Sequence, residues 1–344
     1  MTLAARRLLA VGLILAAAAS AARPSRSEEA FTPVKSSVRY RKIGVYDKAR
    51  LAAIIETDLD AFLAGSTMKR GDFKGSLAPP RHAVALYEVQ FDSVIPEWNN
   101  EPTMSGGLLA IPDDGETSHP LLSYQHGTVF GLDEVPSRPD NSFETRLMLA
   151  AFAAQGYVVI GADYFGLGAS RVGPSGRRAP NSFIVPEGTV QAMLDHFRAS
   201  GEVLAALGQR TPQTFLYGWS QGGWSTMQFL RRLEALELPV TAAATVSAQV
   251  DPAATGRGRF WETLELTGAY PWRIKTPLRA YAGGTDEAIP AEVSRMVVEF
   301  DQLLGGRRVE FFSAGERADH RASFVQATLD LEPWLDSFVK PAVQ

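Results

Sequence analysis

The sequence predicts an α/β fold, a mostly parallel sheet covered by helices on both faces. Three observations carry that prediction. Short apolar runs alternate along the chain with longer segments of helical period. Several of the runs are apolar at consecutive positions, as strands buried on both faces must be. The runs at 121–124, 157–160 and 278–282 each lead into a Gly-containing segment, so polar residues collect where strands end.

Taken in order, residues 22–35 are rich in Pro, Ser and charge and read as a flexible leader. Over 47–63, Leu51, Ile54, Ile55, Leu59, Phe62 and Leu63 recur at helical spacing, with Asp47 placed to cap the start. This helix is expected as an N-terminal extension packed against the core. Strands are then expected at 83–91, 106–111, 121–124, 157–160, 214–217, 240–246, 278–282 and 309–312. Helices are expected at 143–154, 190–207, 220–236, 291–304 and 322–338. The division that results is 1–21, 22–80 as leader and helical extension, and 81–344 as the catalytic domain. No repeat of solenoid period is present.

Composition narrows the function classes. The 344 residues carry 34 Lys plus Arg against 38 Asp plus Glu, a net charge of −4, with 45% hydrophobic residues. That balance is ordinary for a globular chain. It supplies no basic field for counterion release, so nucleic acid is not the expected partner. The chain has no cysteine, which excludes a thiol nucleophile, disulfides and Cys-ligated metal. At the N-terminus, Arg6 and Arg7 precede an apolar run over 8–18 and a small-x-small site at Ala19-Ser20-Ala21. This is the pattern of a secretory signal cleaved near Ala21, which predicts a secreted or periplasmic protein. The run is too short to span a bilayer.

The chemistry centres on Gly218-Trp219-Ser220-Gln221-Gly222, a G-x-S-x-G sequence between an expected strand and an expected helix. A serine on so sharp a turn has its hydroxyl pushed out beyond the sheet. Gly218 and Gly222 flank it because the strand and helix backbones nearly touch there. Gln221 starts the helix, so its N–H is free to receive developing negative charge.

An activated serine needs a base and an orienting acid. His82, His119 and His196 have ordinary structural readings, His196 as a partly exposed helix residue. His320 lies beyond the last strand, where a loop can carry an imidazole over the turn. Asp286 follows strand 278–282 through Gly283-Gly284-Thr285. Asp251 and Glu287 are rival acids, and Asp319 reads as a solvated loop charge. In Tyr124-Gln125-His126-Gly127-Thr128, the Thr128 N–H is the expected second oxyanion donor. Gly127 permits the tight path there, and His126 orders the loop by hydrogen bonding. Asp163 to Gly168 reads as a loop-shaping segment.

At these residues the chain resembles the α/β-hydrolase superfamily. The 124–128 block together with Gly218-Trp219-Ser220-Gln221-Gly222-Gly223 resembles secreted lipases and esterases of the secretory-lipase type. The order Ser220, Asp286, His320 is that superfamily's order of nucleophile, acid and base. The resemblance implies hydrolysis of small-molecule or lipid carboxylic esters with no cofactor and no metal. A serine peptidase, an acyltransferase or a non-catalytic binding protein on the same fold are the alternatives. One departure is the insertion before the acid strand, only 251–275, too short for a full lid domain. Phe260, Trp261, Tyr270 and Trp272 in this short cap, with Phe130, Tyr164, Phe165 and Trp224, are candidates to wall an acyl pocket.

Overall fold

The computed structural model describes residues 30–173, 176–251, 268–269 and 272–339. The signal-like segment 1–21, the cap residues Phe260, Trp261 and Tyr270, and most of the 251–275 insertion lie outside the described residues.

A ten-stranded mixed sheet forms the centre, in the order β1-β2-β3-β4-β6-β5-β7-β8-β9-β10. Its strands are β1 (Thr32–Lys35), β2 (Val38–Tyr46), β3 (Ala83–Ile95), β4 (Glu101–Asp113), β5 (Leu121–Gln125), β6 (Val158–Ala162), β7 (Thr214–Trp219), β8 (Ala242–Val246), β9 (Leu278–Ala282) and β10 (Val309–Ser313). From β6 across to β10 every pairing is parallel. From β1 to β4, and from β4 to β6, every pairing is antiparallel.

The strand register explains why helices cover both faces. Along β7, Phe215, Tyr217 and Trp219 join one apolar cluster while Leu216 joins another; β8 and β9 divide in the same way. The first cluster is completed by α1 (Lys48–Ala53), α3 (Phe143–Ala151) and α7 (His320–Val339). The second is completed by α4 (Pro186–Ala206), α5 (Gln221–Ala235) and α6 (Ala291–Leu303). Repetition of a buried, largely apolar strand in β5, β6, β7, β8 and β9 against such faces is what holds the parallel half together.

Two expectations from the sequence need correction. The end of the presumed leader is ordered sheet: Thr32–Lys35 pairs with Val38–Tyr46, and β2 continues onto β3. Its charged residues alternate with apolar ones, which is a strand with one wet face. His196 is 1% exposed, not partly exposed. It packs where β4 offers Gly107, whose missing side chain leaves the imidazole its space; a Cβ there would stand 2.4 Å from His196 Nε2. Burial pushes its pKa down to about 3, so it is neutral.

The 47–63 helix forms as expected, with Asp47 accepting from the Arg50 N–H at 2.7 Å. It passes through a π turn at Ile54–Asp58 into α2 (Leu59–Phe62). Phe62 then stacks on Phe143 at 4.4 Å between centroids and meets Trp219 and Phe324 edge-on. This N-terminal segment therefore packs against the strand that leads into the serine turn.

Candidate active site

Ser220 joins β7 to α5 with φ 59° and ψ −121°, a conformation costing a non-glycine residue about 1–3 kcal/mol. Close packing forces that strain. A Cβ on Gly218 would lie 2.2 Å from the Gly222 carbonyl, and one on Gly222 would lie 1.9 Å from the Gln125 carbonyl. Both expected glycines are thus required by backbone contact. The Ser220 N–H donates to the Val246 carbonyl of the neighbouring strand at 2.9 Å, which fixes the turn over β8. Gln221 is the first residue of α5, so its N–H has no acceptor within the helix.

The candidate acid Asp286 and the candidate base His320 meet because the segments that lead to them lie backbone against backbone. Gly283 and Gly284 leave β9 with room for no side chain: a Cβ would come within 2.0 Å of the Ala318 carbonyl and 2.4 Å of the Glu316 carbonyl. The Gly284 N–H donates to Gly315 O at 2.9 Å and the Thr285 N–H to Ala318 O at 3.1 Å. His320 Nδ1 lies 3.0 Å from both carboxylate oxygens of Asp286. The carboxylate also accepts from the Ala288 and Ile289 N–H groups at 3.0 and 2.8 Å. Burial works to raise the Asp286 pKa, but the His320 contact and the Ile289 N–H outweigh it and hold the group below the usual carboxylate range. Asp286 is therefore an anion that orients the ring. Its neighbour Glu287 accepts from the His320 backbone N–H at 3.1 Å, a supporting role and not that of the acid.

The imidazole rests against the serine turn. Its ring centroid is 4.8 Å from that of Trp219, the residue before Ser220, and the Trp219 indole N–H donates to the His320 carbonyl at 3.1 Å. Trp219 in turn stacks on Phe324 one helical turn further on, at 4.9 Å.

His320 is not in a loop but is the first residue of α7. Asp319 is not a solvated charge either. It is 7% exposed and accepts from the Ser66 hydroxyl at 2.9 Å, the Thr67 N–H at 2.6 Å and the Ala322 N–H at 2.9 Å. It caps the helix that begins with His320 and ties it to the N-terminal segment. The three-residue spacing from Asp319 to Ala322 is the signal that could have found it.

The 124–128 block lies directly beside the turn. His126 donates through Nδ1–H to the Gly127 carbonyl at 2.8 Å and stacks on Tyr164 at 4.0 Å. Burial lowers its pKa to about 4, so it serves as a neutral ring that shapes the loop and not as a base. Thr128 follows, exposed, at the loop's outer side. Asp163 takes the loop-shaping role expected for its segment, accepting from the Ser137 N–H at 2.9 Å and hydroxyl at 2.6 Å. The sequence reading missed Glu144. It is buried under Gly127, whose N–H points to its two oxygens at 3.1 and 3.2 Å, and it also accepts from the Tyr124 hydroxyl.

Of the proposed pocket aromatics, Tyr164, Phe165 and Trp224 are fully buried. Trp272 is half-buried, its indole N–H donating to Glu234 at 3.1 Å. Phe130, two residues past Thr128, is 95% exposed.

With this geometry in view, comparison with solved structures decides the architecture. A Legionella pneumophila protein, whose hydrolase assignment is itself provisional, superposes with a TM-score of 0.73 over 92% of this chain and 100% of its own, at 18% identity. The rice cell wall degrading esterase LipA from Xanthomonas oryzae gives 0.69 over 87% and 97%, at 16% identity. The chain has the α/β-hydrolase fold. Candida antarctica lipase A in its closed state matches at 0.53 over 72% of this chain and 78% of its own, at 15% identity. No protein-family model and no curated protein matches the sequence.

Proposed function

We propose that this α/β-hydrolase-fold protein is a secreted or periplasmic serine hydrolase that cleaves carboxylic esters through Ser220, His320 and Asp286. One observation carries the reading: an imidazole gripped by both oxygens of a buried carboxylate packs on the residue preceding a serine in a strained strand-to-helix turn. The esterase and lipase names among the structural neighbours support the reaction class.

In this reading His320 Nε2 takes the proton as Ser220 Oγ bonds to the ester carbonyl carbon. The carbonyl π electrons move to oxygen, where the N–H groups of Gln221 and Thr128 receive them. Collapse breaks the bond to the alcohol oxygen, and the imidazolium returns its proton to that leaving group. Water then adds to the acyl-enzyme by the same sequence, releasing the acid and restoring Ser220. Asp286 holds the tautomer with Nδ1–H and stabilises the imidazolium between the steps.

The signal-like 1–21 segment supports export, with cleavage near Ala21. No helix of the described residues is long and apolar enough to cross a membrane. A p-nitrophenyl ester series from acetate to palmitate, run beside an aminoacyl amide, tests the reading. Ester turnover well above amide turnover is expected, with a preference for the shorter acyl chains given the short cap. Amide cleavage exceeding ester cleavage would replace it with a peptidase.

A further inference from the structure

We infer that Glu144 is a positioning residue for the oxyanion loop, acting as a buried carboxylate that grips the Gly127 N–H from below and so sets the direction of the Thr128 N–H. This inference rests on the esterase reading of the same site. Glu144 sits in the first turn of α3, a helix capped by the Ser142 hydroxyl, which accepts from the Thr145 N–H at 3.2 Å. That cap fixes the start of the helix on which Glu144 stands. Three hydrogen bonds converge on it: Gly127 N–H to Oε1 and to Oε2, and Tyr124 O–H to Oε1. Tyr124 is part of β5, so the loop that follows this strand is tied back to the strand itself through one side chain.

The fit leaves no slack. A Cβ on Gly127 would stand 3.2 Å from Oε2 and 3.3 Å from the Trp219 carbonyl, so this loop residue is pressed between the carboxylate and the nucleophile turn. The grip on the Gly127 N–H holds the 126–127 peptide plane, and the next plane, which carries the Thr128 N–H, is held at its other end, where the Gly127 carbonyl accepts from His126 Nδ1 at 2.8 Å.

The charge state of Glu144 matters for the grip. All three hydrogen bonds are donated to it, so they favour the carboxylate. Burial opposes them and raises the pKa to about 7, against the pull of Tyr124, the Gly127 N–H and the His320 charge. The other titratable groups around it are Tyr124 on β5, Tyr164 beyond β6, Tyr217 on β7, His126 in the loop, and the His320–Asp286 pair at the start of α7. Burial keeps the three phenols protonated and His126 neutral. In Glu144, burial and hydrogen bonds pull the charge in opposite directions. A protonated Glu144 would turn its own O–H toward Tyr124 and slacken the hold on Gly127. The competent enzyme therefore needs Glu144 deprotonated.

The test is the pH profile of kcat/KM for an ester substrate in wild type, Glu144→Gln and Tyr124→Phe. In wild type the acid limb is expected to carry a step near pH 7 from Glu144. Glu144→Gln places an amide N–H2 where a donor already points, so kcat should fall on the order of 10- to 100-fold with KM nearly constant. Its acid limb should lose that step. Tyr124→Phe removes one donor to the carboxylate, so its limb should move to higher pH while activity returns toward wild type in alkali. A wild-type rate in Glu144→Gln overturns the inference, as does a loss of rate in both variants with the wild-type profile retained. Ser220→Ala run alongside separates the two levels. Full activity in Ser220→Ala overturns the esterase reading, whereas an inactive Ser220→Ala beside an unaffected Glu144→Gln overturns only the role of Glu144.

Discussion

Two histidine–aspartate pairs sit at opposite ends of the sheet. His320 Nδ1 contacts both oxygens of Asp286 at 3.0 Å, beyond the carboxyl end of β9. His119 Nε2 contacts both oxygens of Asp114 at 3.2 Å, just before the amino end of β5, with His82 Nε2 4.0 Å from the same carboxylate. Both carboxylates are held below the usual range, each against the opposing effect of burial and each with the help of its histidine. As isolated pairs they are nearly equivalent. What separates them is what each ring faces next. His320 is bound through Nδ1 and packs on Trp219 beside a strained serine. His119 is bound through Nε2, and its Nδ1 is buried without a hydrogen-bond partner among the described residues. A charged partner thus makes an imidazole orientable. The carboxyl edge of a parallel sheet, where turns expose polar atoms, makes it useful.

Four substitutions would break or sharpen that contrast. The largest effect belongs to Ser220→Ala, which should lower kcat by several orders of magnitude with the fold intact by circular dichroism, since the base then has nothing to activate. Asp286→Asn comes next. An amide cannot hold the Nδ1–H tautomer, and a fall of ~10³–10⁴ in kcat at unchanged melting temperature is expected. Asp319→Ala should act mainly on stability, costing about 1–2 kcal/mol by denaturant titration through loss of the cap on the helix that carries the base. The sign with pH follows from the Asp319 pKa, which the N–H groups of Ala322 and Thr67 hold below the usual value against burial. Its contribution is present above about pH 4 and disappears as pH falls through the lower folded value. The smallest effect on catalysis belongs to His119→Ala. Its kcat should stay within about twofold of wild type, although the second pair is lost.

The contrast also explains what could be read in advance. Ser220, Gly218 and Gly222 were legible because a tight turn restricts residue types locally, and the required contacts reach only to Gln125 and within the turn itself. Asp286 and His320 were legible from order along the chain, helped by Gly283-Gly284 announcing a close approach. Strand β2 was not read because its charged residues mask a strand that is wet on one face, one place in from the sheet's edge. His196 was misjudged because its burial depends on Gly107 in another element, which no local pattern reports. Asp319 carried a capping signal, but its bonds to Ser66 and Thr67 span some 250 residues of chain. Glu144 left no trace at all: a Glu in a first helical turn is ordinary, and its role exists only once β5 brings Tyr124 and Gly127 over it.

The central claim is that Ser220 is a nucleophile activated by His320. Labelling with a fluorophosphonate, followed by peptide mapping, tests it most directly. The account predicts a single phosphonylated residue at Ser220, formed rapidly in wild type and slowed by several orders of magnitude in His320→Ala, with the His119→Ala rate unchanged. Label on another serine, or a Ser220 adduct formed as fast without His320 as with it, would contradict the account.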